Sequence, residues 1–381
     1  MGCLNLVFLK DNFINHETII FATAMRVQHL LLYQFKNYSE REFTFDEQIV
    51  CITGKNGSGK TSLLDAIYFL CFTKSYFVHS DSYCVMNDRQ GMRIRAIFEK
   101  ETPAEVQCIL RENGKKEFTN EGIAYTQLSK HIGKYPVVII TPDDTQLITE
   151  GSEVRRKFID ILISQLDENY MRTLMAYNKV LQQRNALLKK WHDLPAEDYS
   201  VLDIYDRQLN EYSVPVFTAR KIFADKLKSK TNEIYHFISD ANENIEIEYQ
   251  SQLHQNSLME LLKLHRRKDI ITQRTNYGIH KDDLYFSLNN MPLKVAASQG
   301  QRKSFLFGLK FAQFEILKEN IAATPLLLLD DVFEKLDEKR GEKLISYIGK
   351  QSTQVFITDT HKERLEKAFR TIEKKVQWIE L

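Results

Sequence analysis

Eight consecutive residues near the start of the chain have the types and spacing needed to bind phosphate groups. They match the pattern G-x-x-x-x-G-K-[ST] in full, and in order they are Gly54, Lys55, Asn56, Gly57, Ser58, Gly59, Lys60 and Thr61. The glycines let backbone N–H groups converge on phosphates at a helix N-terminus. Lys60 supplies a positive charge for the β and γ phosphates, and Thr61 offers its hydroxyl to Mg²⁺. We therefore predict an ATP site, in which Ser62 also takes part.

A run of four leucines that ends in two aspartates, "PLLLLDDVF", complements this loop. It has the form of a Walker B strand, which brings acidic side chains to the phosphate loop. Asp330 is predicted to hold Mg²⁺ through water, and Asp331 to orient or deprotonate the water that attacks the γ-phosphate. Lys60 and Asp331 are therefore the predicted catalytic residues, and Thr61 and Asp330 the predicted metal-binding residues.

A third motif, "SQGQRKS", begins a predicted helix between the other two. Ser298, Gly300 and Gln301 would offer N–H donors at the positive end of the helix dipole. The order of phosphate loop, Ser-x-Gly-Gln and Walker B is that of ABC-type ATPases. In those proteins this signature binds the γ-phosphate of a neighbouring subunit. The motif order therefore predicts an ATP-dependent homodimer, in which two heads meet head to tail around two ATP molecules.

The elements around these motifs indicate an α/β fold. "QIVCITG" predicts a buried strand that leads into the phosphate loop, and residues 61–72 have helical spacing after it. "PLLLLDDVF" and "QVFITDT" predict parallel core strands. Residues 25–45 predict two strands joined by a turn at Lys36 and Asn37, and residues 92–118 predict an antiparallel meander. This pattern favours an ABC-type P-loop ATPase head with a mixed sheet and flanking helices.

The middle of the chain differs from the rest in composition and in the spacing of its apolar residues, and this difference predicts an inserted helical lobe. Neither glycine nor proline occurs in 152–194, and apolar residues recur there at three- and four-residue steps, so we expect one long amphipathic helix. A second helix is predicted between Pro195 and Pro215, and a third from Val216 to about Ser239. The predicted segments are an N-terminal extension (1–24, with Met25 a candidate start), the first half of the head (25–153), the inserted helical lobe (154–241) and the second half of the head (242–381).

Composition excludes several classes of protein. The 381 residues are 43% apolar and 27% charged, which is typical of a globular protein, and no apolar run has the length of a membrane span. The start of the chain lacks the pattern of a secretory signal, so we expect a cytoplasmic protein. The net charge of +1 limits nucleic-acid binding to a local basic surface. The five cysteines have no spacing that indicates disulfides or a structural metal.

The 238 residues from Lys60 to Ser298 exceed what a transporter ATPase subunit normally has between these motifs, and three segments resemble the RecF family of bacterial gap-repair ATPases. "FKNYSERE" is similar to the F-R-N-Y segment of that family, with Lys36 in place of Arg. "TPDDTQLITEGSEVRRKFID" matches the segment in which Arg155, Arg156, Phe158 and Asp160 follow an acidic turn. "GIHKDDL", Gly278–Leu284, resembles G-P-H-R-D-D-L and departs from it at Ile279 and Lys281. The resemblance covers nearly the whole chain from Met25.

This resemblance implies a weak ATPase that binds DNA at single-strand gaps and helps load the recombinase RecA. It also implies RecO and RecR as partners, ATP and Mg²⁺ as cofactors, and Lys36 and Asn37 as residues that border the nucleotide. Three basic clusters are candidates for the DNA backbone, each with solvated charge as the alternative: Arg155-Arg156-Lys157, Lys189-Lys190 and Arg266-Arg267-Lys268.

Three residues of the predicted site raise separate questions. Asp331 stands where most ABC ATPases have Glu, and its carboxylate is one methylene further from the water, so we expect slow hydrolysis. His361, in "VFITDTH", is either a sensor of the γ-phosphate or an ordinary loop histidine. His280, in "GIHKDDL", has a structural or a functional role, and the sequence favours neither.

Two other classes of protein share some of these features. An ATPase subunit coupled to a membrane transporter would need a coupling surface for membrane helices, and the long inserted lobe argues against it. A clamp that binds ATP and barely hydrolyses it needs the same residues as a slow ATPase, so the sequence does not separate those two.

Overall fold

A computed structural model describes residues 25–191, 199–239, 243–333, 338–370 and 372–381; the predicted N-terminal extension lies outside these residues. The strands are β1 (Arg26–Phe35), β2 (Tyr38–Thr44), β3 (Ile49–Thr53), β4 (Met92–Glu99), β5 (Ala104–Leu110), β6 (Lys116–Asn120), β7 (Ile123–Ala124), β8 (Val137–Ile140), β9 (Ile245–Gln250), β10 (Asp283–Leu288), β11 (Met291–Pro292), β12 (Leu326–Leu329), β13 (Val355–Asp359) and β14 (Val376–Glu380). The helices are α1 (Lys60–Phe72), α2 (Gln146–Thr149), α3 (Ser152–Leu166), α4 (Glu168–Lys189), α5 (Ser200–Ser239), α6 (Leu258–Leu264), α7 (Arg266–Thr272), α8 (Leu293–Ala296), α9 (Gln299–Asn320), α10 (Glu338–Lys350) and α11 (Lys362–Phe369).

A parallel sheet with the strand order β14-β3-β13-β12-β8 lies at the centre of the head. Every residue of β3, β8, β12 and β13 is buried, which explains why these strands are nearly continuous apolar runs rather than alternating ones. The predicted parallel core strands are confirmed. Because parallel strands end at the same edge of a sheet, β3, β12 and β13 bring the residues that follow them together.

A second sheet is antiparallel and has the order β2-β1-β4-β5-β6-β7. Its inner strands alternate buried with more exposed positions, as expected of a sheet with one face on the core. The predicted turn at Lys36 and Asn37 and the predicted meander are both confirmed. Lys36 adopts a left-handed conformation in this turn, with φ of 50°.

The predicted single helix over 152–194 is wrong, because two helices occupy this stretch. Asp167 is extended between α3 and α4, with φ of −141° and ψ of 108°. Its carboxylate accepts a hydrogen bond from the backbone N–H of Asn169 at 2.7 Å, so Asp167 caps the start of α4. Apolar periodicity continued across the break, and the capping aspartate was the signal that sequence reasoning missed.

The prediction of two helices separated at Pro215 is also wrong. Helix α5 continues through Pro215, although proline in a helix interior costs about 3 kcal/mol or more. Leu209 and Val216, on either side of the proline, are fully buried. Their burial in the shared core offsets the lost backbone hydrogen bond, which is why the breaker does not end this helix.

The predicted lobe and the predicted head share one apolar core. Helix α5 packs lengthwise against α9, and a single buried cluster joins strands of the parallel sheet to α3, α4, α5 and α9. Because the two parts share this core, the structure does not mark where the lobe begins and ends, and its predicted boundaries at 154 and 241 stay a prediction. In the described parts of the chain, none of the helices has the length and apolarity needed to cross a membrane.

Candidate nucleotide site

The phosphate loop joins β3 to α1 and has the backbone geometry that its glycines permit. Gly57 and Gly59 have φ values of 81° and 108°, a region that other residues rarely adopt. A Cβ atom on Gly59 would lie 2.7 Å from Asn37 Nδ2 and from the Tyr38 hydroxyl, so a side chain there would collide with the turn after β1. The Tyr38 hydroxyl donates to the Gly59 carbonyl at 3.1 Å, which ties that turn to the loop.

Lys60 and Ser58 have polar groups suited to an anion. The Lys60 side chain is buried, and its ammonium donates to the backbone carbonyls of Gly54 and Lys55 at 2.8 and 3.1 Å. Within the described residues, the buried Ser58 hydroxyl has no hydrogen-bond partner. A buried polar group without a partner is costly, and a phosphate oxygen would satisfy both this hydroxyl and the Lys60 charge.

The metal-binding prediction has matching geometry. The Thr61 hydroxyl donates to Asp330 and lies 3.0 Å from each carboxylate oxygen, and the Thr358 hydroxyl donates to Asp330 Oδ1 at 2.8 Å. Burial raises the pKa of Asp330, while the two threonine hydroxyls act in the opposite direction. A hydroxyl beside a buried carboxylate is the oxygen donor set that Mg²⁺ takes in phosphate sites, so the residues fit that ion. Sequence reasoning missed Thr358, although it lies in the "VFITDT" strand.

Asp331 lies next to this pair in a strained backbone conformation. Its φ is 46°, and its backbone N–H donates to Thr358 Oγ1 at 2.9 Å. Asp331 lines a cleft of about 230 Å³. The other residues that line the cleft are Lys36, Asn37, Asn56, Gly57, Gly59, Lys60, Thr61 and Ser62. Residues from the phosphate loop, the Walker B strand and the turn after β1 therefore meet at one place.

Lys36 takes part in a buried ion pair as well as lining the cleft. Its ammonium is 2.6 Å from Oδ2 of Asp65, a carboxylate that is fully buried in α1. Asp65 also accepts hydrogen bonds from the Ser75 hydroxyl at 2.6 Å and the Tyr76 backbone N–H at 2.8 Å. The sequence carried no signal for Asp65. Asn37 is closer to the loop, with Nδ2 3.5 Å from the Gly57 carbonyl.

The signature residues do not line this cleft. Ser298 caps α9: its hydroxyl accepts from the Gln301 N–H at 3.3 Å, and its own N–H donates to Gln301 Oε1 at 2.6 Å. Gln301 Nε2 donates to Glu243 Oε1 at 2.5 Å. A Cβ on Gly300 would lie 2.3 Å from an Arg340 nitrogen, so this glycine leaves room for the guanidinium. One chain thus presents the signature and the Walker residues at separate places.

His361 also lies outside the cleft lining. Its side chain is 67% exposed, and Nδ1 is 2.8 Å from the Thr360 hydroxyl. The structure does not bring His361 together with the Walker residues, and its two predicted roles both stay open.

The Gly278–Leu284 motif and the segment with Arg155 and Arg156 form one ionic network at the base of the lobe. We call it the lobe network and define it as Arg155, Arg156, Asp160, Arg220, Asp282 and Asp283. Arg155 binds Asp283 through two bonds of 2.7 and 2.9 Å, and Arg156 donates to the Asp282 carbonyl at 2.7 Å. The buried Arg220 binds both oxygens of Asp160 at 2.9 Å and Asp282 at 3.1 Å. These motif residues therefore hold α3, α5 and β10 together.

His280 in the same motif is half-buried beside this network. Its Nδ1 is 2.8 Å from the Tyr177 hydroxyl, and its Nε2 is 3.0 Å from the Thr275 carbonyl. Burial lowers the pKa of His280 to about 4, so the ring is neutral at pH 7. Through these two contacts His280 holds its motif against α4, which is a structural role.

The three basic clusters differ in how far their charges are already paired. Arg155 and Arg156 belong to the lobe network, and Arg266 bonds to Asp203 and, at 3.0 Å, to Asp206. The other members have no ion pair within the described residues, and they are Lys157, Lys189, Lys190, Arg267 and Lys268. Only this second group is placed to bind a partner without first breaking an internal pair.

The fold and the cleft together define an ABC-type ATPase head. A model of the RecF/RecN/SMC N-terminal domain matches residues 26–377. The DNA replication and repair protein RecF of Flavobacterium johnsoniae is 44% identical over 347 residues, which cover 90% of this chain and 96% of that protein. RecF of Azobacteroides pseudotrichonymphae is 40% identical over 90% of this chain and 93% of its own length. This chain belongs to the RecF family.

Solved structures agree with this assignment. A structure described as the recombination mediator protein RecF-ATP in the RecFOR pathway has a TM-score of 0.83 and 28% identity, and it covers 94% of this chain and 98% of its own. The Smc head domain of Pyrococcus furiosus has a TM-score of 0.52 and 16% identity over 90% of this chain and 91% of its own. The second likeness supports the fold alone.

Proposed function

We propose that this chain is a DNA-repair protein that binds and slowly hydrolyses ATP and dimerises on ATP. The dimer binds DNA at single-strand gaps and helps load the recombinase during recombinational repair and replication restart. The observation that carries the proposal is the meeting of Lys60, Thr61 and Asp331 in one cleft, where the Thr61 hydroxyl also bonds to the Asp330 carboxylate. The RecF relatives, described as DNA replication and repair proteins, supply the DNA part of the proposal.

The chain's own residues divide the work at the nucleotide. Backbone N–H groups of the loop and the Lys60 ammonium hold the β and γ phosphates, and Ser58 adds a hydroxyl. Thr61 and Asp330 hold Mg²⁺, which supplies positive charge at the phosphate oxygens when it is bound. Asp331, at the rim of the same cleft, orients the attacking water. Its short side chain makes hydrolysis slow, so that ATP serves as a switch.

The signature acts on a second copy in this proposal. Ser298 and Gly300 lie at the start of α9, outside the cleft of their own chain, so the Gly300 N–H and the Ser298 hydroxyl are the donors to the γ-phosphate of a neighbouring subunit. Two heads arranged head to tail complete both nucleotide sites. This arrangement makes dimerisation dependent on the γ-phosphate, which ADP lacks.

DNA is held through its backbone rather than its bases. Lys157 and the Lys189-Lys190 pair are the candidate phosphate contacts, because no ion pair within the described residues engages them. The partners in this proposal are RecO and RecR, with RecA as the loaded protein; the RecFOR pathway of the structural relatives supports them.

Light scattering tests the proposal with the wild-type chain in ATP, in ADP and without nucleotide. The expected result is a doubled mass in ATP alone. Ser298→Arg places a long cation at the signature and should abolish the doubling while nucleotide binding, measured by fluorescent ATP, stays near the wild-type value. A wild-type mass that does not respond to ATP would refute the head-to-tail dimer. Measured turnover separates a slow ATPase from a clamp without hydrolysis.

A transporter ATPase subunit is not favoured. The relatives described as RecF cover the lobe as well as the head, so the insertion is part of the family rather than an addition to a transport protein. The lobe also shares its apolar core with α9, the helix that begins at the signature.

A further inference from the structure

Four residues of α6 and α7 form a single exposed face, which we call the α6–α7 stripe: Leu264, Arg267, Lys268 and Ile271. The two helices are nearly continuous. The backbone N–H of His265 bonds to the Leu261 carbonyl at 3.0 Å, and that of Asp269 bonds to the His265 carbonyl at 3.1 Å. Since the i to i−4 pattern continues across the junction, residues spaced by three, four and seven lie on the same side.

The two aliphatic residues of the stripe are unusually exposed. Leu264 is 77% exposed and Ile271 is 80% exposed, whereas Leu262 on the other side of α6 is fully buried. Exposed single apolar residues are common, but two of them on one helix face with charged residues between form a patterned surface. Burying both in an interface would contribute favourably to binding, because it removes apolar surface from water.

The two cations of the stripe are not neutralised by the described parts of the chain. Arg267 and Lys268 are exposed and have no ion pair there, although the Lys268 ammonium lies 5.4 Å from the centre of the Tyr277 ring. The acidic residues nearby are already used: Asp269 binds Arg184 at 2.7 Å, and Asp203 and Asp206 bind Arg266. Glu260, on the same face at the start of α6, accepts a hydrogen bond from the Ser257 backbone N–H at 3.0 Å. The stripe is therefore a basic strip with an apolar residue at each end.

We propose that the α6–α7 stripe is the docking surface for a protein partner that presents acidic side chains flanked by apolar ones. DNA would match the cations but not the aliphatic residues, because unstacked bases are usually held by aromatic side chains, and the stripe has none. A protein surface matches both features, with carboxylates opposite Arg267 and Lys268 and a pocket for each aliphatic residue. The choice of candidate partners rests on the proposed function, and the chemistry of the surface does not.

The test measures binding of purified RecO and of purified RecR, each from the same species as this chain, by biolayer interferometry. The expected result is that one of them binds the wild-type chain and that the double variant Leu264→Ser, Ile271→Ser weakens this binding at least tenfold. The double variant Arg267→Gln, Lys268→Gln should also weaken it and should flatten its dependence on salt. Ile123→Ser, which removes an aliphatic side chain that is 74% exposed on β7, is the matched control and should bind as the wild type does.

Three results would overturn the inference. These are binding of neither protein by the wild type, equal weakening by Ile123→Ser, or loss of DNA binding alone in the stripe variants. The doubling of mass in ATP is measured on the same variants and should be unchanged. Loss of the doubling in the wild type counts against the proposed dimer and leaves the docking result to stand by itself.

Discussion

The nucleotide cleft and the lobe network are both built from charged residues in short motifs, yet the two regions differ in how those charges are satisfied. In the lobe network each guanidinium meets a carboxylate or a carbonyl of the same chain, as Arg220 does with Asp160 and Asp282. In the cleft, within the described residues, the Lys60 ammonium bonds to backbone carbonyls alone, and the Ser58 hydroxyl has no hydrogen-bond partner.

This difference separates a structural motif from a ligand site. A buried charge that is paired internally stabilises one arrangement of the elements that carry it, and its removal leaves the opposite charge buried alone. A polar group without a full set of partners is suited to an incoming anion. "GIHKDDL" and the phosphate loop are both short charged motifs in the sequence. The hydrogen-bond and ion-pair partners of their side chains in the structure distinguish the structural motif from the ligand site.

The largest expected effect is on stability, from Arg220→Ala. This change leaves Asp160 and Asp282 without their shared cation in a buried position, so we expect the free energy of unfolding to fall by about 3–5 kcal/mol. Urea unfolding followed by circular dichroism measures it. Arg111→Ala is the control, because Arg111 forms an exposed ion pair with Glu117, and its loss should change stability little. Equal effects from both variants would contradict the comparison.

The next effect is on catalysis, from Asp330→Asn. Turnover of ATP should fall by about 100-fold or more, since a bound metal supplies several kcal/mol of transition-state stabilisation. The thermal midpoint should stay the same or rise, because burial raises the pKa of Asp330 and so opposes its charge. Phosphate release and differential scanning fluorimetry measure the two quantities. A strong loss of stability would show that Asp330, like the charged residues of the lobe network, is needed to stabilise the fold.

A smaller effect should appear as a dependence of stability on pH. The pKa of His280 is lowered to about 4 from an ordinary value of 6.5, so the unfolded chain binds a proton that the folded chain does not. The contribution of neutral His280 to the free energy of unfolding is fully present above pH 6.5 and is lost as the pH falls towards 4. The loss between pH 7 and pH 5 is about 2 kcal/mol. Urea unfolding at several pH values measures the slope.

His280→Gln should make that slope shallower, because glutamine does not titrate. His131, whose pKa burial also lowers to about 4, is unchanged in this variant, so the difference between the two curves belongs to His280. Parallel curves for the wild type and the variant would show that folding does not lower the pKa of His280.

The smallest expected effect comes from Asp331→Glu. The extra methylene brings the carboxylate closer to the attacking water, so ATP turnover should rise by about tenfold, a modest part of what general-base catalysis can supply. Steady-state phosphate release measures it, with nucleotide affinity as the control that should not change. An unaltered rate would show that the position of this carboxylate does not limit hydrolysis.

Much of the fold could be predicted from the sequence because its signals were local and agreed with one another. The apolar runs of β3, β12 and β13, the turn at Lys36 and the capped start of α9 each follow from a few neighbouring residues. The continuous α5 could not be predicted with the same rules, because tertiary packing decided it, whereas the break at Asp167 had a local signal, the capping aspartate, that the continuing periodicity concealed. Helical periodicity is the same on both sides of a break, and burial around Pro215 outweighs a local preference.

The candidate site divides in the same way. The loop residues and Asp330 were predicted, since their spacing has a direct chemical meaning. Thr358, Tyr38 and Asp65 were missed, because each acts by contacting another element, and one sequence does not record which residues meet in space. The sequence also did not show which arginines of the basic clusters are neutralised within the chain, because Arg155 looks the same in the sequence whether or not Asp283 pairs with it.

The position of β3 has a consequence for how the protein is made. This strand carries the phosphate loop, yet both of its neighbours in the sheet, β13 and β14, are translated more than 300 residues later. A ribosome that has made the phosphate loop must still make most of the chain before the loop has its supporting sheet. Such long-range strand pairing forms slowly. Segments that are translated first, such as β3, therefore keep apolar surface exposed until their partner strands have been made. Nucleotide binding is therefore expected only after synthesis has passed residue 380, so that incomplete chains do not compete for ATP.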